Sequence, residues 1–240
     1  MNTAVKRLRP FWLALGFLTT LPVPDLGEVR PGEMRTASAY YPLVGWVVGA
    51  VLALAAVAAS ALPDGLAAVL VLAVWLGITG MLHFDGLLDS ADALLAPVPV
   101  SERLRILGDV HHGTFAMGAG FVFLLLKWQA LALLTASLPV LLAPVAARFW
   151  LLPVLNRFPS ARPEGLGATA RQGRVGLGFA FALPVVFLNP AAFLATGVVV
   201  GLGALWASRR LGGGLSGDVY GALIELGELV FLLVAVVSGM

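Results

Sequence analysis

The sequence predicts an all-α fold, a polytopic integral membrane helix bundle of about seven spans, with residues 1–240 forming one membrane-embedded domain. Three observations predict it. The chain is 60% hydrophobic, with a mean hydropathy of +0.96. Only 12% of its residues are charged, where a soluble domain carries about a quarter. Its apolar runs are unbroken, as from Val47 to Leu62 and from Leu66 to Leu82, whereas a transmembrane barrel alternates apolar and polar residues. These features exclude a single water-soluble globule and a disordered chain.

A hydrocarbon core of roughly 30 Å takes about 20 helical residues. Residues 1–38 read as a cytoplasmic or interfacial segment. Lys6, Arg7 and Arg9 precede an apolar stretch, Phe11 to Val23, that is too short to span and is closed by Pro22 and Pro24. No small-residue cleavage site is evident, so the segment is expected to be retained. Spans are expected at 40–62, 65–84, 114–135, 138–156, 175–189, 190–207 and 219–239. Pro63-Asp64-Gly65 and Asn189-Pro190 supply tight turns. With a cytoplasmic N-terminus, the segments 1–38, 85–113, 157–174 and 208–218 all fall on the cytoplasmic side. Asp64 is then the one ionisable side chain in an outer turn, and Lys127, Arg148, Glu225 and Glu228 lie within spans. This satisfies the positive-inside rule, and the net charge of +2 points to loops at a membrane surface, with no nucleic-acid partner. Cysteine is absent, which removes disulfides, thiolate nucleophiles and thiolate-bound metals. No internal repeat is obvious, which weighs against transporters built from two inverted halves.

The most informative stretch is His83-Phe84-Asp85-Gly86-Leu87-Leu88-Asp89-Ser90-Ala91-Asp92. Its aspartates stand at i, i+4 and i+7, on one face of a helix. No basic residue is interleaved, so the carboxylates repel one another unless a cation sits among them. Oxygen ligands select Mg²⁺ or another hard divalent ion over zinc, and Mg²⁺ is usually shared with substrate phosphates. Asp85, Asp89 and Asp92 are therefore candidate metal ligands for a phosphate or diphosphate substrate. A solvated acidic helix at the membrane edge is the bland alternative. His83 reads as a general base, a more remote partner or an interfacial histidine. Asp109, His111, His112 and Thr114 precede a span, where Thr114 can cap the helix; a polar juxtamembrane loop explains them equally well. A charge within a span is by default functional or paired. Lys127 and Arg148 therefore either neutralise Glu225 and Glu228 inside the bundle or contact substrate. Arg157, Arg162, Arg171 and Arg174 suit a nucleotide phosphate or anionic lipid.

These residues resemble the H-x-D-G-L-x-D-x-x-D signature of the cobalamin synthase (adenosylcobinamide-GDP ribazoletransferase) family. Phe17-Leu18-Thr19-Thr20-Leu21-Pro22-Val23-Pro24 and Tyr41-Pro42-Leu43-Val44-Gly45 resemble two N-terminal blocks of that family. Gly113-Thr114-Phe115, Leu126-Lys127-Trp128, Arg162-Pro163-Glu164-Gly165-Leu166-Gly167 and Gly217-Asp218-Val219-Tyr220-Gly221-Ala222 resemble later ones, in order. The chain departs from the family pattern at Gly108-Asp109, where Lys-Asp is usual, and at His111-His112, where an arginine and an apolar residue are frequent. The resemblance implies a membrane-embedded transferase, and the charge of both signs gathered on one side places its chemistry there, facing the cytoplasm from the inner membrane. It implies joining of adenosylcobinamide-GDP to α-ribazole or its 5′-phosphate, release of GMP, and Mg²⁺ as cofactor. The expected partners are those substrates, the lipid bilayer and other enzymes of the cobalamin pathway. On this reading Asp85, Asp89 and Asp92 hold Mg²⁺, and His83 and Asp109 are catalytic candidates. His111, Lys127, Arg148, Arg162, Glu164, Asp218 and Glu225 are candidate substrate contacts. The rival readings are a CDP-alcohol or prenyl-diphosphate transferase, which uses similar aspartates, and an ion-coupled transporter with Asp85 and Glu225 as ion sites.

Overall fold

The computed structural model describes residues 7–134, 137–162 and 169–239. Among the described residues are the helices α1 Arg9–Leu18, α2 Glu33–Ser38, α3 Tyr41–Ala58, α4 Asp64–Ile78, α5 Leu82–Leu95 and α6 Val100–Ile106. They continue with α7 Thr114–Leu133, α8 Leu138–Arg157, α9 Val175–Leu188, α10 Pro190–Arg210 and α11 Gly217–Val237. The only strand-like pairing among them is an isolated parallel bridge between Ser160 and Leu215. The chain is a polytopic membrane helix bundle: α3, α7, α8, α10 and α11 are each long and apolar enough to cross a bilayer.

The bundle is built around α8 and α11. About three-quarters of each is buried (78% and 72%), against 39% or less of α3, α7 and α10. Lipid tails are as apolar as leucine side chains, so helices in a membrane associate largely by close packing of small residues. Gly45 and Gly49 do this on α3. A Cβ at Gly49 would sit 2.1 Å from the Leu141 carbonyl oxygen, and one at Gly45 2.7 Å from that of Pro144. The α3 and α8 backbones therefore touch.

The span expected at 65–84 is broken. Helix α4 ends at Ile78, Gly80 and Met81 take left-handed backbone angles (φ 58° and 57°), and α5 leaves at 89° to α4. Glycine adopts such angles without strain, and the carbonyls freed at the end of α4 find donors. The Thr20 amide donates to the Ile78 carbonyl (2.8 Å) and the Thr20 hydroxyl to that of Gly77 (3.0 Å). The apolar segment after α1 is thus the cap of α4. At its other end α1 is fixed by an Arg9–Glu33 ion pair of 2.7 Å, whose hydrogen bonding holds the Glu33 carboxyl down to about 2.

Helix α9 has 14 residues, about 21 Å at ~1.5 Å per residue, and is an apolar helix too short to count with the long ones, so among the described residues five helices, or six with the bent α4–α5 pair, have spanning length where about seven were expected. It turns directly into α10 at Asn189, whose side chain accepts from the Ala192 amide (3.0 Å). The expected hairpin is present, with Pro190 in the first turn of α10.

Two glycines place the aspartate helix. A Cβ at Gly86 on α5 would lie 2.6 Å from the Asp218 carbonyl oxygen, and one at Gly221 on α11 would lie 3.2 Å from the His83 backbone. Helices α5 and α11 therefore meet backbone to backbone, and Asp218 is drawn up beside α5. The segment after α8 is stitched to the segment before α11 by the Ala161 amide on the Leu215 carbonyl and the Leu215 amide on that of Pro159, both 2.9 Å. Arg162 and Asp218 consequently share one end of the bundle with α5. Overpacking a helix contact costs about 1–3 kcal/mol or more, so Gly49→Leu should lower the thermal midpoint in detergent clearly. An unchanged midpoint would mean that α3 and α8 do not approach here.

Candidate active site

Helix α5 carries the aspartates from solvent inward. Asp85 is exposed, Asp89 is partly buried, and Asp92 is buried. Asp92 accepts hydrogen bonds from the Gly113 amide and, at 2.9 Å, from the Ala116 amide. These are unpaired donors of the first turn of α7, which a helix must satisfy from outside. A carboxylate there also meets the positive end of the helix dipole. The cap of α7 is therefore Asp92, from another helix, and no side-chain cap comes from residue 113 or 114. A side chain at position 113 would collide with it, since a Cβ there would lie 2.9 Å from Asp92 Oδ1.

The cap carries His112 over the remaining aspartates. His112 Nδ1 lies 3.4 Å from Asp89 Oδ1, and its Nε2 lies 3.7 Å from Asp85 Oδ1. One ligand atom from each of these three residues falls within 4.8 Å of the others. Neither aspartate has a lysine or arginine partner among the described residues. The carboxylates remain uncompensated apart from the imidazole, as a cation site requires. The third expected ligand, Asp92, is committed to α7, and His112 stands with the pair instead.

Beside this group lies a cavity of about 270 Å³ between α1, α3, α5, α8 and α11. Asp85 belongs to its wall, with His83, Arg162 and Asp218. The Arg162 guanidinium is held by the Leu104 carbonyl (2.6 Å) and crosses closely over Gly108, where a Cβ would lie 2.8 Å from Nη2. A lysine at position 108 would need the Arg162 guanidinium, the far end of a flexible side chain, to shift. Asp218 Oδ2 is buried with no hydrogen-bond partner among the described residues.

The model of one family, cobalamin-5-phosphate synthase, matches residues 10–236. The chain belongs to that family. It is similar to the adenosylcobinamide-GDP ribazoletransferase of Deinococcus radiodurans, at 54% identity over 95% of this chain and 85% of the relative. It is also similar to proteins of that name from Desulfitobacterium hafniense (40% identity, 94% and 96% covered) and Pseudomonas putida (39%, 93% and 97%). No solved structure matches.

For this synthase-family chain the structure separates the expected site residues into groups. Asp85 and Asp89 stand together with His112, and His83, Arg162 and Asp218 line the adjoining cavity. Asp109 and His111 lie outside both, paired to each other at 2.8 Å on an exposed loop. That hydrogen bond holds the Asp109 carboxyl below its ordinary range, which makes it a weaker base. Glu164 lies outside the described residues.

Lys127, Arg148 and Glu225, expected among the substrate contacts, are instead sealed in the bundle. Lys127 bonds Glu225 (2.7 Å) and Glu228 (3.0 Å), and Arg148 bonds Glu228 (2.7 Å), with all four side chains buried. Lys127 also sits 4.0 Å from the Trp75 ring centroid. Two cations and two anions cancel, the arrangement a low-dielectric interior demands. Removing one partner of such a pair costs about 3–5 kcal/mol. Lys127→Met should therefore unfold the bundle at much lower temperature, and adding Glu225→Leu should recover most of the loss, because Arg148 still neutralises Glu228. Equal instability of both variants would break the pairing argument.

Proposed function

We propose that this chain is an adenosylcobinamide-GDP ribazoletransferase acting late in cobalamin synthesis. The observation that carries the reading is the Asp85–Asp89–His112 group on the rim of a cavity, in a chain whose full-length relatives bear that name. Family membership sets the CDP-alcohol, prenyl-diphosphate and transporter readings aside. The ribazole 3′-hydroxyl attacks the phosphorus that carries the cobinamide arm. The bond from that phosphorus to the guanylyl phosphate breaks, GMP leaves, and the new phosphodiester gives adenosylcobalamin or its 5′-phosphate.

Phosphoryl transfer depends on positioning and charge neutralisation more than on covalent help. Asp85 and Asp89 offer the one or two carboxylates that Mg²⁺ usually takes alongside substrate phosphates. The carboxylates also suit Mn²⁺, and an imidazole such as His112 adds a nitrogen ligand that later transition metals prefer. Asp85, Asp89 and His112 would hold such an ion, which would supply neutralisation of the diphosphate charge and polarisation of the phosphoryl group. Arg162 meets phosphate charge from the cavity wall. Asp218 Oδ2, buried and unpaired there, takes the hydroxyl proton. Asp92 acts by positioning: it fixes the loop that carries His112. The charged loops and this site face the cytoplasm from the inner membrane, in keeping with the positive-inside rule.

The test is GMP release by the purified, lipid-reconstituted protein with adenosylcobinamide-GDP, α-ribazole and Mg²⁺. Release should stop on chelation and return with Mg²⁺ or Mn²⁺. Asp85→Asn and Asp89→Asn should each lose well over ~10-fold of the activity at any metal concentration. Asp92→Asn should instead weaken apparent metal affinity roughly 10- to 100-fold, with activity partly restored at high Mg²⁺. No GMP from the unaltered protein would reject the proposal.

A further inference from the structure

We infer that the cavity between α1, α3, α5, α8 and α11 is the socket for the heteroaromatic base of the incoming ribazole. The inference rests on the transferase reading and deepens it by assigning one substrate to one place.

Size removes one candidate. A space of about 270 Å³ accepts a nucleoside base with part of its sugar, and is far too small for a corrin ring. The corrin ring must stay outside, so the ring systems left to occupy it are the ribazole base and guanine.

The wall chooses between them. Leu18, Leu151, Leu155 and Ile224 make one part of it apolar. Elsewhere, both ring nitrogens of His83, the hydroxyls of Tyr41 and Tyr220, and Asp218 Oδ2 are buried without a hydrogen-bond partner among the described residues. Buried polar atoms in native proteins are nearly always paired, and an orphan calls for an explanation. Several orphans around one cavity are explained by a ligand that brings their partners. Guanine carries polar atoms around almost its whole perimeter, and each one facing leucine or isoleucine would lose its hydrogen bond to water unrepaid. A benzimidazole-type base has one ring edge that is entirely hydrocarbon and one ring nitrogen able to accept. Its carbocyclic edge suits Leu151, Leu155 and Ile224, and its nitrogen suits an imidazole or phenol donor. With the base inside, the ribose is directed to the mouth, where Asp85 belongs both to the cavity wall and to the cation group. The attacking hydroxyl then lies beside the diphosphate.

Leu155, 2% exposed, reports on the socket without touching the reacting atoms. The experiment measures binding of α-ribazole alone to the detergent-solubilised full chain by calorimetry, and KM for each substrate where GMP is released. Leu155→Trp should weaken α-ribazole binding by about 10-fold or more, with KM for adenosylcobinamide-GDP within about twofold of the unaltered protein. Leu155→Ala tests the same idea without overpacking. It should shift the ratio of affinities by more than ~10-fold toward a riboside with a larger, tricyclic base. An unchanged size preference in Leu155→Ala would overturn the socket. So would competition between GMP and α-ribazole for the unaltered protein, or a matched loss of affinity for adenosylcobinamide-GDP in Leu155→Trp, because guanine would then occupy the cavity. Ribazole binding that follows cavity size in a protein that releases no GMP would leave the socket standing and reject the transferase reading.

Discussion

The site depends on the carboxylate of Asp92 lying on the amides of Gly113 and Ala116. The contact satisfies donors that the 20-residue helix α7 would otherwise leave unpaired. It also returns the chain to α5 after the excursion through α6, so that His112, one residue before the cap, lands on Asp85 and Asp89. Helical periodicity completes the arrangement: an aspartate at i+7 that holds the loop leaves those at i and i+4 on the same face beneath it. The far end of α5 is pinned as well. Arg103 donates to the Ala93 and Leu94 carbonyls, and Arg210 to those of Leu94 and Ala96. Positive charge there meets the negative end of the helix. A helix fixed at both ends can present two mutually repelling carboxylates without swinging them apart.

Behind it, the helices that frame the site are tied by charge. Lys127 comes from α7, Arg148 from α8, and Glu225 and Glu228 from α11. In the bilayer interior each of these charges alone would cost several kcal/mol, and together they cancel. Because ion pairs have a strict geometry, they fix helix rotation as well as separation, which leucine packing alone does loosely. The rotation of α11 matters most, since it carries Gly221 against His83 and Asp218 against Gly86.

What the sequence shows and hides follows from the range of the interactions. The helical class, the hairpin at Asn189-Pro190 and the aspartate face are set by composition and by neighbours within two turns, and all are readable. The break between α4 and α5 is hidden because the residues around it are uncharged and mostly apolar, Ile78-Thr79-Gly80-Met81-Leu82, and hydropathy sees no turn; the signal is Gly80, with donors supplied by Thr20, far away in sequence. His112 as companion of Asp85 and Asp89 is hidden because a contact across 21 residues, from Asp92 to Gly113, puts it there. The nearest clue was Gly113 itself, whose missing side chain leaves room for a carboxylate. Lys127, Arg148 and Glu225 were ambiguous for the same reason: polarity within a span is local, whereas pairing across 98 residues is not.

The 89° turn of α5 connects these observations to the chemistry. A helix continuing α4 through the bilayer would carry its aspartates in hydrocarbon, where an unpaired carboxylate is protonated or paired and binds no hard ion well. A helix wholly in water would keep its charge but lose the apolar wall beside it. Turned across the end of the bundle, α5 packs against α11 and α7, with His83 lining the cavity and one face toward solvent, where Asp85 is open. A nucleophile with an apolar base and an electrophile with a diphosphate need opposite surroundings and must still meet within bonding distance. Asp85 is where those surroundings adjoin, and it is the orientation of this one helix, more than any single ligand, that brings an apolar wall and an open carboxylate together at one end of the bundle.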